Sequence, residues 1–183
     1  AFAWGIGSSE AEHAMATGTL RMARPKTMLV TFTGALQAGV TAKDMILTLL
    51  ACHGAGGGSG YVVEFAGDAV TALDIEARQT LCNMSTEFAA VSGIIAPDEV
   101  TLAYLKGRRY APDPLPDWSD LRTDDGAVFD AEIDIEAGAI RPMVSWGTSP
   151  EHSIGIDDVL PQGPARAHDY IGLAAGTSIA GVP

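Results

Sequence analysis

An alternation of segment types constrains this chain most: the apolar, β-branched run Met28–Leu29–Val30–Thr31–Phe32–Thr33, then a helical segment, then Tyr61–Val62–Val63–Glu64–Phe65. Such residues suit a pleated surface, so both runs are predicted strands, the first ending at Gly34. Between them Thr41–Ala42–Lys43–Asp44 has the form of a capping box with Asp in the place of Glu. Met45, Ile46, Leu49 and Leu50 follow at helical spacing and supply one buried face. Strand, turn, helix and strand in this order read as an α/β fold.

Upstream, Ser8–Ser9–Glu10 predicts a helix entrance with a serine as N-cap and Glu10 at the positive end of the dipole, the helix running through Ala14, Met15 and Leu20. His13 lies on it with no second ligand at metal spacing, so an ordinary surface or core role is expected. Arg24–Pro25–Lys26 breaks the helix. The glycine-rich stretch Gly54–Gly60 invites a phosphate-binding reading, but it leaves a helix and enters a strand, the reverse of a dinucleotide loop; a flexible connection is expected. Cys52 and His53 beside it have no partner set for a metal, and Cys52 reads as a small buried hydrophobe.

Further on, Asp68–Leu73 predicts a short helical turn. Pro97–Asp98–Glu99 opens a helix with Pro at N1 that runs to Gly107, and Pro112, Pro114 and Pro116 make an extended connector. From Val128 to Ile135, Val128, Asp130, Glu132 and Asp134 alternate with Phe129, Ala131, Ile133 and Ile135, a half-buried strand with one acidic face that more simply solvates a sheet edge than holds a divalent metal. Pro142–Trp146 is another strand, Gly155–Gly163 a linker, and Pro164–Gly181 is too short to fold alone.

The stretch with chemical promise is Ala77–Glu87. Leu81, Met84, Phe88 and Val91 recur at three- and four-residue intervals, predicting an amphipathic helix stopped at Gly93. On it Asn83 and Glu87 stack amide over carboxylate at the border of the apolar stripe, where a carboxylate can be partly desolvated as an acid/base group needs. By spacing alone a hydrogen-bonded surface pair is the simpler account.

Charge removes several function classes. With 23 acidic and 11 basic residues among 183, the net charge of −12 opposes nucleic acid, whose binding rests on Lys and Arg neutralising phosphates, and an anionic membrane surface. No apolar run approaches the roughly 20 residues of a membrane span. Two cysteines, Cys52 and Cys82, are too few for a disulfide framework and predict a soluble cytoplasmic protein with reduced thiols. The apolar start Ala1–Phe2–Ala3–Trp4, without Met, and the close on Gly181–Val182–Pro183, read as the approach to a strand, suggest a section of a longer protein.

The segment Glu76–Glu87 closely resembles the aconitase superfamily, and other stretches resemble its isopropylmalate dehydratase branch on the large-subunit side. These are Gly5–His13, Gly39–Asp44, Gly57–Gly67, Ala96–Glu99, Tyr104–Arg108 and Thr148–Pro150, in colinear order over nearly the whole chain. The resemblance implies a three-layer α/β/α subdomain of the aconitase iron–sulfur type with partial flanking subdomains: residues 1–27 the tail of a first, 28–150 a complete second, and 151–183 a linker and the start of a third, cluster-binding one. It implies a hydro-lyase that isomerises a small 2-hydroxy dicarboxylic acid by dehydration and rehydration on a [4Fe–4S] cluster, one iron of which acts as a Lewis acid. The Glu matching Glu87 hydrogen-bonds the water or hydroxyl on that iron, which makes Glu87 the catalytic candidate, and the Asn matching Asn83 lies beside the cluster. Cys82 matches a non-ligand cysteine, so neither thiol is assigned to iron; the three cluster cysteines are expected beyond Val182–Pro183 and an Asp–Ser–His motif before Ala1. Where the family has small residues after the Glu, this chain has Phe88. A small subunit is the implied partner. Homoaconitase, a dehydratase of methyl-substituted malates, and a non-catalytic α/β binding or assembly module remain open alternatives.

Overall fold

The computed structural model describes residues 2–3, 6–118 and 120–180. The readings made on Ala1 and Trp4, and on Gly181–Val182–Pro183 as the approach to a strand, lie outside them. In chain order the elements are β1 (Phe2–Ala3), α1 (Ser8–Thr17), β2 (Lys26–Thr33), α2 (Ala42–His53), β3 (Tyr61–Ala66), α3 (Asp68–Thr71), α4 (Ile75–Met84), β4 (Ser92–Ile94), α5 (Glu99–Leu105), β5 (Ala131–Glu136), β6 (Met143–Ser145), β7 (Ser153–Gly155) and α6 (Ala165–Ile171). The fold is mixed α/β: a sheet of order β1-β4-β3-β2-β5, parallel except for the edge strand β1, flanked by helices, with β6 and β7 as a separate antiparallel hairpin.

Period-two alternation places the core. Val30 of β2 stands between Phe65 of β3 and Ile133 of β5, and Met28, Val30, Phe32, Val63 and Phe65 are all buried on this face. Met45, Ile46, Leu49 and Leu50 of α2 close over it. The opposite face sets half-buried Leu29 between Glu64 and Glu132. The β5 edge begins at Ala131, later than Val128, because the Asp130 carboxylate accepts the Thr27 N–H at 2.8 Å and holds the chain at the threshold of the ladder. Glu132, Asp134 and Glu136 form its exposed acidic row.

Local capping chemistry sets most helix starts. Asp44 Oδ2 accepts from the Thr41 N–H and Oγ1, both at 2.7 Å, which is the expected box; its Oδ1 accepts the Met143 N–H at 2.7 Å and so ties β6 to α2. The N-cap of α1 is Gly7, not Ser8 or Ser9, since Glu10 reaches back to the Gly7 N–H at 2.8 Å. Likewise Asp98, not Pro97, starts α5, its Oδ1 accepting from Val100 and Thr101.

The stretch expected as a linker is instead packed. Leu160 is buried with Trp146 and Ala167, and Ile154, Ile171 and Leu173 lean on them. Backbone bonds from Leu160 to Thr177 and from Gly176 back to Leu160 hold the return. This second core depends on Trp146 of the preceding segment, so its closure is tertiary and no local pattern displays it.

Candidate functional site

The helix that carries Asn83 ends sooner than its periodicity predicts. Asp74 caps α4, its Oδ1 accepting the Ala77 N–H at 2.8 Å, and the helix stops at Met84. From there the backbone tightens: Thr86 N–H donates to Asn83, Glu87 N–H to Met84, Phe88 N–H to Ser85 and Ala89 N–H to Thr86, each three residues back. An α-helix would have given the Glu87 N–H to the Asn83 carbonyl. The expected continuous helix to Val91 is therefore corrected, and with it the stacking of Asn83 and Glu87 on one helical face. Gly93 is not a helix stop; it lies inside β4.

The reason is the seat of Phe88. Ser85, Phe88 and Ala90 are buried while Asn83, Thr86, Glu87 and Ala89 are exposed. A β-carbon on Gly57 would overlap Phe88 Cε2 and lie 2.6 Å from its Cζ, and one on Gly58 would lie 2.7 Å from Cδ1. Gly58 also donates its N–H to the Phe88 carbonyl at 2.8 Å. Below the turn, Ser85 Oγ donates to the Cys82 carbonyl at 2.7 Å, and a β-carbon on Gly93 would sit 2.6 Å from that hydroxyl oxygen. The chain leaves through Ala89 at φ 60°, left-handed for a residue that carries a Cβ. Glu87 thus stands in solvent on a turn fixed from beneath. This exposure departs from the desolvated edge expected of it.

The glycine-rich stretch is accordingly a packing surface and a connection. Most of its donors are engaged within the fold: the Gly57 and Ser59 N–H groups bond to the carbonyls of Gly54 and Gly56, Gly54 N–H to that of Leu50, and Ala55 N–H donates to Glu151 Oε2 at 2.8 Å. That last bond is the main reason the Glu151 carboxyl sits below its ordinary value. His13 is exposed on α1, and Cys52 and His53 are exposed at the end of α2, so Cys52 is not the buried hydrophobe expected.

Beside the turn, a cleft of ≈ 490 Å³ is lined by Arg21, Arg24, Gly60, Ala89 and Val91 among others. At the other end of α4, buried Arg78 grips both Asp98 oxygens at 2.6 and 2.8 Å and bonds the Thr71 and Leu73 carbonyls. Nothing local marks Arg78 for burial; only the Asp at 98, read as a helix-start residue, hints at a cation partner.

The residues present do not fit an iron–sulfur cluster. Burial pushes the Cys82 thiol up to about 11, which keeps it protonated, and a thiol ligand must be a thiolate. No group of three or more His, Cys, Asp or Glu side chains able to hold a metal occurs among the described residues.

The model of the aconitase family (aconitate hydratase) matches residues 1–180. This chain belongs to the aconitase family. Within it, the chain is similar to 3-isopropylmalate dehydratase large subunit 1 of Bradyrhizobium diazoefficiens, 48% identical over 198 aligned positions that cover 99% of this chain and 42% of that protein. The chain thus spans less than half the length of its aconitase-family relative, and the colinear resemblance read from the sequence agrees with that alignment. Among the described residues, no helix is long and apolar enough to cross a membrane.

Proposed function

We propose that this chain is a section of an iron–sulfur hydro-lyase that interconverts 2-isopropylmalate and 3-isopropylmalate by dehydration and rehydration in leucine biosynthesis, in the cytoplasm and together with a small subunit. The observation that supports this most is the 48% identity to a dehydratase large subunit along 99% of the chain. The division near residues 28 and 150 belongs to the same reading; β2 begins at Lys26, close to the first boundary, whereas the β6–β7 hairpin runs from Met143 to Gly155 across the second.

Dehydration of a 2-hydroxy acid removes a hydroxyl as water and a proton from the neighbouring carbon; rehydration reverses both. Hydroxide leaves poorly, so a carboxyl that delivers a proton to the departing oxygen and retrieves one from the returning water contributes about 10²- to 10⁴-fold. Glu87 is our candidate for that group, because it faces solvent from a turn whose backbone is held by buried neighbours. Asn83, one turn earlier and also exposed, belongs to the same wall, next to the cofactor in this reading. The [4Fe–4S] cluster and its thiolates come from outside these residues.

Glu87→Gln in the full-length enzyme with its small subunit is the test. The expected result is a fall in kcat of about 10²-fold or more with cluster absorbance intact; near-normal turnover with an intact cluster removes Glu87 from the mechanism. This chain alone is expected to take up no cluster on anaerobic reconstitution, and stoichiometric thiolate-to-iron absorbance overturns that.

A further inference from the structure

We propose that Phe88, seated on Gly57 and Gly58, is the positioning residue for Glu87, so that the glycine-rich connection between α2 and β3 sets the geometry of the acid/base carboxyl. The inference rests on the reading of Glu87 given above. Glu87 and Phe88 are adjacent and point oppositely, one exposed and one buried. Because consecutive residues of a tight turn share one rigid peptide plane, moving the buried ring moves the exposed carboxylate. The ring has almost no freedom. Gly57 and Gly58 leave space for it only because they lack Cβ atoms, and the Gly58 N–H to Phe88 carbonyl bond fixes the backbone at the same point. Ser85 Oγ and Gly93 pin the opening of the turn, and left-handed Ala89 its exit. Close packing converts a small change of volume beneath such a turn into displacement above it.

The atoms that a Gly57 side chain would overlap are Cε2 and Cζ of Phe88, which a leucine at 88 lacks; the next neighbour, the His53 carbonyl oxygen, lies at 3.0 Å and needs only a small shift. Gly57→Ala and Phe88→Leu therefore form a compensating pair. In the full-length enzyme with its small subunit, with turnover expressed per loaded cluster, Gly57→Ala is expected to lower kcat about 10- to 100-fold, the order that a displacement near 1 Å produces, with KM changed less than about twofold. The double variant is expected to recover most of that loss. Phe88→Leu alone, which opens a void, is expected to shift kcat in the same direction and supplies the reading should Gly57→Ala not fold. A purely structural role lowers stability and yield but leaves kcat per loaded cluster unchanged; that outcome in both single variants overturns the inference, as does a double variant no better than Gly57→Ala. Glu87→Gln run in parallel separates the two claims. If it lowers turnover about 10²-fold or more while both packing variants leave kcat per loaded cluster unchanged, only the positioning inference falls; if it leaves turnover intact, the reading of Glu87 falls and the inference with it.

Discussion

The ring of Phe88 occupies the place where a side chain on Gly57 would have to be. A glycine pair that resembles a phosphate cradle in sequence is therefore a socket for an aromatic ring. Phe88→Ala empties that socket and is expected to lower the stability of the chain by about 3–5 kcal/mol, whereas Gly57→Ala overfills it at a cost of about 1–3 kcal/mol. Urea unfolding of the three proteins checks both values.

Ala89 sits at φ 60°, a conformation that crowds its Cβ against the following carbonyl. Ala89→Gly is expected to raise stability by about 1 kcal/mol, since relief of that crowding exceeds the extra flexibility glycine gives the unfolded chain. An upward shift of the urea midpoint at constant slope is the expected result, and a lower midpoint contradicts the strain.

Hydrogen bonding to Arg78 holds the Asp98 carboxyl below its ordinary value, partly opposed by burial and aided by the Thr101 and Val100 N–H groups. In the unfolded chain Asp titrates near about 3.9, so the unfolded state binds more protons through the acid range. The stabilisation is complete above that value and is lost as pH falls through the lower, folded one. Asp130 and Glu151, lowered chiefly by the Thr27 and Ala55 N–H groups, act in the same direction. Asp98→Asn is expected to cost about 3 kcal/mol at pH 7, because Arg78 stays buried without its counter-charge, and to flatten the decline of stability below about pH 4. Urea midpoints measured from pH 7 to pH 2.5 report both effects.

Cys52 is exposed, whereas burial pushes the Cys82 thiol up to about 11. A chromogenic disulfide reagent is expected to label one thiol rapidly in the native chain and the second only on unfolding. Rapid labelling of both contradicts the packing of α4.

Much of the architecture was legible because it is local. Thr41 with Asp44 and Asp74 before α4 are capping signals that need nothing beyond a few neighbours, and β2 and β3 declare themselves by composition. The candidate residues Asn83 and Glu87 were legible as positions but not as geometry. Buried residues at three- and four-residue spacing fit an α-helix and a series of tighter turns equally well, so Leu81, Ser85 and Phe88 cannot say where one becomes the other.

What the sequence by itself determined is the α/β alternation, the helix starts marked by Asp and Thr, and membership of the aconitase family carried by Glu76–Glu87 and its flanking stretches. The tertiary structure alone decided that α4 ends at Met84, that Arg78 is buried against Asp98, that Leu160 returns to Trp146, and that Glu87 faces solvent above Phe88. Each of these joins residues far apart in the chain or depends on the space left by an absent side chain, as at Gly57. Packing density, unlike periodicity, cannot be evaluated along one dimension.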